Sequence, residues 1–217
     1  MRVFRQLFLV ATLAGLLSGA FITLVHQATT VPLILSAEAL EQGAAYQVET
    51  TAGLARIAWT ALADSLAAIG FALLLLAASV VCKARLDWRR GLLWGLAGFG
   101  VFFLAPSVGL PPALPGAEEA ALRDRQVWWL LTVLATGGGV ALLFFGRRGW
   151  FVAAGAALVV SPHLFGAPQL VDPASLAAPT LTRQFVLMGT LSNLLFWLVL
   201  GTLTGAFYAR MQKASAR

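Results

Sequence analysis

Charge is scarce in this chain. Asp, Glu, Lys and Arg together make up 11% of its 217 residues, against 59% hydrophobic residues. A soluble domain of this size has too little interior to hide so much apolar surface, which excludes an ordinary water-soluble globule. Cysteine occurs once, as Cys82, so no intrachain disulfide can form and Cys82 reads as a small packing residue. Histidine occurs twice, as His26 and His163, which is sparse for a metal protein and sparser for acid–base catalysis. No G-x-x-x-x-G-K-[ST], H-E-x-x-H or G-x-S-x-G motif is present. The chain therefore has no nucleotide-binding loop to power it and no familiar hydrolytic site, and it does not read as an enzyme. The net charge of +6 would suit nucleic acid, but the basic residues sit at the ends of apolar runs. There they set membrane topology and meet anionic headgroups, so nucleic acid is not an expected partner.

What fills the chain is apolar runs of helix length. The pattern predicts an all-α, polytopic membrane helix bundle in one domain over residues 1–217, with the lipid bilayer as its first partner. Helices are expected over Leu7–Val25, Ile57–Val81, Gly91–Leu110, Val127–Phe145, Gly149–Val160 and Phe185–Tyr208. Arg2, Arg5 and Ser18-Gly19-Ala20 resemble a signal peptide. The apolar run continues through Ile22 and Val25, so an uncleaved first helix is expected. The fifth run is short: Trp150 to Val160 covers about 16 Å, roughly half the hydrocarbon core. It either extends past Ser161-Pro162-His163 to Phe165 or forms a re-entrant segment, so the count is six crossings or five.

The loops sort by charge. With the amino terminus inside, inner segments carry Arg2, Arg5, Lys83, Arg85, Arg89, Arg90, Arg147, Arg148, Arg210, Lys213 and Arg217. Outer segments carry Arg56, Arg123, Arg125 and Arg183, together with Glu38, Glu41, Glu49, Glu118, Glu119, Asp124 and Asp172. Asp87 is the one acid of an inner loop. This assignment places both termini in the cytoplasm. All nine prolines fall in outer loops or at outer helix ends, so the outer side carries shaped, partly rigid backbone. Trp59, Trp128 and Trp129 fall at outer helix ends and Trp88, Trp94 and Trp150 near inner ones, as interfacial anchors do; Trp197 lies mid-helix as a packing residue.

The chain also repeats. Arg89-Arg90-Gly91 and Arg147-Arg148-Gly149 open two hairpins, and Arg125-Gln126 and Arg183-Gln184 start their returning helices at the same interval. Pro106 and Pro162 interrupt the outward helices at similar depth, and Arg5-Gln6 through Pro32 to Arg56 fits the plan loosely. Three parallel hairpins would leave a central seam. Gly15/Gly19, Gly91/Gly95 and Gly201/Gly205 form G-x-x-x-G pairs that let helices approach closely, and Gly137-Gly138-Gly139 inside a helix is packing or a kink.

Few residues could carry chemistry. Asp64 is the one acid inside a predicted helix, about 12 Å in from Arg56. A carboxylate at that depth faces a bundle interior or cavity, as a cation ligand, a proton carrier or a packing hydrogen bond to Thr60 or another helix. Thr132, Thr136, Ser192 and Asn193 fall at similar depth and could form a polar layer, although such hydroxyls commonly back-bond to helix carbonyls. His163 follows Pro162, whose missing N–H leaves the Leu158 carbonyl free beside an imidazole. Imidazole, carboxylate and carbonyl suit a borderline divalent ion such as cobalt, nickel or zinc. Glu38 and Glu41 lie one turn apart on a short outer helix expected after Pro32 and could gather cations or simply face water. His163, His26, Asp64, Glu38 and Glu41 are thus the candidate metal residues; no resident cofactor is expected.

At these residues the chain resembles a known family. Pro32-Leu33-Ile34-Leu35 with Ala37-Glu38 and Glu41, the segment Pro162-His163-Leu164-Phe165-Gly166-Ala167-Pro168, and Phe196-Trp197-Leu198-Val199-Leu200-Gly201 are together similar to the CbtA family of predicted cobalt-transporter subunits. The resemblance implies cobalt uptake for cobalamin synthesis at the bacterial inner membrane. It implies a small single-span CbtB-type companion with a histidine-rich end, and it leaves room for a homo-oligomer. Family members are often described with five crossings. A non-transporting scaffold for a metal-binding partner would share the same pattern.

Overall fold

The computed structural model describes residues 2–42, 50–170 and 178–215; Glu49, Asp172 and Arg217 of the charge pattern lie outside them. Among the described residues the regular elements are helices. They are α1 (Arg2–Ala28), α2 (Thr30–Gln42), α3 (Thr50–Val81), α4 (Trp88–Phe99), a π-helical stretch at Gly100–Leu104, α5 (Ala105–Gly109), α6 (Leu122–Phe145), α7 (Gly149–Phe165) and α8 (Pro179–Ser215). Five are long and apolar enough to cross a membrane: Phe4–Ala28, Gly53–Val81, Trp88–Gly109, Leu122–Phe145 and Pro179–Ala214. The sixth apolar helix, α7, has 17 residues and reaches about 25 Å, longer than the run to Val160 but short of a full hydrocarbon core.

The surface pattern is that of a membrane protein. Leu16, Leu66, Leu131, Leu134 and Phe144 are exposed, whereas Ser18, Thr23, Ser79, Thr132, Ser192 and Thr204 are buried. Such an inverted distribution is stable only where the surrounding solvent is hydrocarbon. Trp59, Trp88, Trp129 and Trp150 are exposed, as anchors must be, and Trp197 is buried at 1% exposure. Trp128 departs from expectation: it is buried, because α6 turns it toward Gly109 and His163.

Helix ends explain several isolated residues. Pro32 sits in the first turn of α2, where its missing N–H leaves no intrahelical bond broken. α3 closes with Ala84 N–H donating to Ser79 O and Lys83 N–H to Val80 O, and Lys83 takes the left-handed conformation, φ +51°. This is a Schellman ending with lysine where glycine is usual; the ammonium offsets some of that strain at the negative end of the helix dipole. Asp87, the lone inner-loop acid, is the cap of α4. Its Oδ1 accepts from the N–H of Arg89 at 2.9 Å and of Arg90 at 3.0 Å.

The Arg90 N–H holds the Asp87 carboxyl below the usual carboxylate range, with the Arg89 N–H and the charges of Arg90 and Arg89 acting the same way and partial desolvation opposing them. Because the folded value is depressed, the stabilisation is full above the unfolded carboxylate pKa and is lost as pH falls through the folded value. Asp87→Ala is therefore expected to lower the melting temperature in detergent at neutral pH, with wild type and variant converging in acid. Asp87→Asn should retain most of the cap. Thermal unfolding of the three proteins across pH checks this.

Two prolines lie inside helices, and each is accommodated differently. Pro106 cannot donate to the Phe102 carbonyl. The ladder widens ahead of it, with Ala105 N–H donating to Gly100 O, so the helix continues instead of breaking. Around Pro162, α7 remains helical to Phe165. The Leu158 carbonyl is not free as expected, because the Ser161 hydroxyl donates to it at 3.0 Å.

The chain divides into two compact units. The first comprises Met1–Pro32, Ala44–Gly98 and Leu191–Arg217. Within it α1 lies against α3 through Gly15 and Gly19: a Cβ on Gly19 would stand 2.5 Å from Ser65 Cα, and one on Gly15 2.7 Å from Ile69 Cα. The other two G-x-x-x-G pairs face each other. A Cβ on Gly201 would meet Gly95 Cα at 2.8 Å, and one on Gly205 would meet Gly91 Cα at 3.0 Å. Trp197 fills the space beside them, its ring against Gly98 and 4.8 Å from the Phe71 ring.

The second unit comprises Leu33–Gly43 and Phe99–Thr190. In it α6 packs on α7 where Gly139 and Gly155 meet, a Cβ on either lying under 3 Å from the other's carbonyl oxygen. Of the Gly137-Gly138-Gly139 triplet, Gly139 is the packing glycine; Gly137 and Gly138 meet only ordinary contacts.

Candidate functional site

One grouping of ionisable side chains within the spans belongs to the first unit. α1 carries Thr23 and His26 three residues apart, hence on one face. α3 carries Asp64 next to Ser65, the residue whose backbone touches Gly19. The absence of a side chain at Gly19 brings α3 close enough for the Asp64 carboxylate to reach α1. Thr23 Oγ1 lies 2.9 Å from Asp64 Oδ2, and His26 Nδ1 lies 3.3 Å from the same oxygen. The Asp64 and His26 side chains are 19% and 26% exposed.

Thr23 Oγ1 is also 2.9 Å from Gly19 O. A hydroxyl has one proton, so the two acceptors share it. Just past the end of α1, Thr29 Oγ1 donates to Val25 O and stands 3.1 Å from Ser192 Oγ on α8. Ser192 is buried. The first unit thus carries a run of polar side chains across three helices.

The geometry orients the imidazole. In the tautomer whose Nδ1–H donates to Asp64, the other ring nitrogen keeps its lone pair, as a metal ligand requires. The aspartate positions the ring and leaves its second nitrogen facing away, with carboxylate and hydroxyl oxygens nearby. Nitrogen and oxygen donors of this kind suit borderline divalent ions. They do not complete a coordination shell: among the described residues no three His, Cys, Asp or Glu side chains stand close enough to hold a metal ion.

The other candidates lie in the second unit. His163 occupies the last turn of α7 with its ring set edge-on to Trp128, centroids 6.0 Å apart. Trp128 Nε1 is buried without a hydrogen-bond partner, and so is Thr136 Oγ1, two turns further along α6. Between them Thr132 is spent on the Trp128 carbonyl. An indole N–H only donates, so Trp128 cannot ligate a cation, though it can hold a water or another oxygen. Glu38 and Glu41 fall on α2; Glu41 is exposed and lies against Gly116, whose φ of +76° requires glycine-like freedom.

Sequence reasoning found Asp64 and His26 separately but did not pair them. It ends the first apolar run at Val25 and puts His26 at the outer helix end, whereas α1 runs on to Ala28 and His26 lies in its last turn. Thr23 and Trp128 were not recognised as parts of these clusters. Thr23 had a signal in the sequence: it follows Gly19 by four residues and precedes His26 by three, so all three share a face.

These features define a multi-pass α-helical membrane protein whose scarce polar side chains are gathered between helices. That class includes permeases and their accessory subunits. The family model described as "Probable cobalt transporter subunit (CbtA)" matches residues 4–209, and the chain belongs to that family. Membership supports a transporter role with other subunits in a membrane, and it speaks against an enzyme. No curated protein and no solved structure matches the chain.

Proposed function

We propose that this chain is the membrane-embedded subunit of a cobalt uptake transporter. The observation that carries the reading is the His26–Asp64–Thr23 cluster, an imidazole held by a carboxylate between two predominantly apolar helices. Ionisable groups at such depth are costly and are kept where an ion or proton passes. Glu38, Glu41 and His163 would gather the ion at the outer face, and His26 with Asp64 would receive it. Each site holds too few ligands to trap the ion, and a passing ion that keeps part of its water needs no full shell. A small single-span CbtB-type subunit with a histidine-rich end would supply further ligands, and assembly as a homo-oligomer is compatible with the same reading.

The proposed setting is the bacterial inner membrane with both termini cytoplasmic, six crossings in three parallel hairpins, and α7 as the shortest. Keeping Arg210 and Lys213 on the basic side requires an even number of crossings. With no nucleotide-binding loop in the sequence, the ion gradient, the membrane potential or another subunit provides the energy. Nickel is the alternative cargo, since the same donors bind it.

Radiolabelled cobalt uptake in cells with and without this chain, the companion being present, tests the reading. Accumulation should depend on the chain and should resist competition by nickel. Equal uptake in both strains would leave only a scaffold. Preferential competition by nickel would keep the mechanism and change the cargo.

A further inference from the structure

A cleft in the second unit is unused by the proposed transport route. It has a volume of about 320 Å³, and its walls include Phe102, Phe103, Pro106 and Trp129, with Arg125 and Gln126 at one side. The walls come from the end of the Trp88–Gly109 span, the segment Leu110–Ala113 that follows it, and the start of the Leu122–Phe145 span. The cleft therefore lies where two spans leave the hydrocarbon, at the depth of lipid headgroups and upper acyl chains. Its aromatic lining suits that depth, Trp129 being 37% exposed and its ring 6.5 Å from the Phe102 ring.

The polar side is charged but balanced. Arg125, on the wall, is ion-paired with Glu119, which stands just beyond the lining residues, and the two side chains are 27% and 34% exposed. A lone arginine here would select any anionic lipid. An arginine that already has a carboxylate beside it is poorly suited to that, because an added phosphate is repelled by Glu119. The pair instead matches a headgroup carrying both signs. A guanidinium binds phosphate oxygens through its fork of N–H donors, and a carboxylate accepts from a primary ammonium. A quaternary ammonium has no N–H to offer Glu119, and a glycerol headgroup has no cation.

We propose that this cleft is a lipid site selective for phosphatidylethanolamine. The phosphate lies on Arg125, the ammonium lies on Glu119, and the upper acyl chain lies against Trp129, Phe102 and Phe103. Native mass spectrometry of the full chain in detergent tests it, with phosphatidylethanolamine, phosphatidylcholine and phosphatidylglycerol added in competition. Phosphatidylethanolamine should be retained about tenfold over either competitor, as expected when two charge-assisted contacts replace one.

Arg125→Ala should bring retention down to the level of phosphatidylcholine. Glu119→Gln should erase the preference between phosphatidylethanolamine and phosphatidylcholine. Arg148→Ala, an exposed arginine outside the cleft, should change nothing. Equal retention of the three lipids by the unaltered chain overturns the proposal, whatever the variants do. So does retention of phosphatidylglycerol above phosphatidylethanolamine, which would make Arg125 a plain cation site, or an unchanged preference in Glu119→Gln. Because the readout is lipid occupancy, it is independent of whether the chain carries cobalt.

Discussion

Asp64→Ala is expected to reduce cobalt accumulation by about 10–100-fold, the usual cost of removing a group that orients a ligating histidine. The carboxylate takes contacts from both Thr23 and His26, so its loss frees the ring to rotate, while Thr23 keeps the Gly19 carbonyl as its acceptor. Asp64→Asn should be milder. Its side-chain oxygen can still accept from the imidazole, so the tautomer survives while the negative charge that favours a divalent cation does not. Thr23→Val should be milder again, since it removes a hydroxyl and keeps the shape. Uptake of labelled cobalt, divided by the amount of chain in the membrane, measures all three. Wild-type uptake by Asp64→Ala with normal assembly would refute the permeation role and leave an anchored companion protein.

Gly201→Leu is expected to be the most destabilising single change in the first unit. A Cβ at Gly201 would stand 2.8 Å from both the N and the Cα of Gly95, and closer still to the Gly91 carbonyl oxygen. Those atoms are backbone, so no rotamer change relieves the clash and α4 must move away from α8. Overpacking where side chains can adjust costs about 1–3 kcal/mol, and here the cost should reach or exceed the upper figure. The shift would also unseat Trp197 from Gly98. Gly70→Ala is the matched control: nothing lies within 4 Å of a Cβ there, so it should be neutral or slightly stabilising by up to about 1 kcal/mol. Thermal stability in detergent, followed by size-exclusion chromatography, compares them. A Gly201→Leu protein as stable as the Gly70→Ala protein would contradict the packing account.

The helices were legible because a bilayer imposes a strong one-dimensional code. Apolar runs of about 20 residues have few other uses, and the spans found at Gly53–Val81, Trp88–Gly109 and Leu122–Phe145 contain or nearly coincide with the expected runs. Their ends were less legible, since a helix leaves the hydrocarbon and continues until a cap or proline stops it. That is why α1 extends to Ala28 and α8 from Pro179 to Ser215, well beyond the apolar runs. Proline was the least reliable guide. Pro106 and Pro162 both look like interruptions, yet a π-helical turn and a serine hydroxyl absorb them.

Sequence alone determined that this is a membrane protein of apolar helices, that Asp64 is an acid inside one of them, and that glycine pairs bring helices together. These are properties of single residues and of spacing along one helix, which local physics settles. Only the tertiary structure decided that Gly91 and Gly95 face Gly201 and Gly205, that Asp64 meets Thr23 and His26, and that Trp128 turns inward to His163. Each depends on the rotation and register of one helix against another. In hydrocarbon that choice comes from close packing and pairwise hydrogen bonds between distant segments, and spacing along a single helix does not encode it.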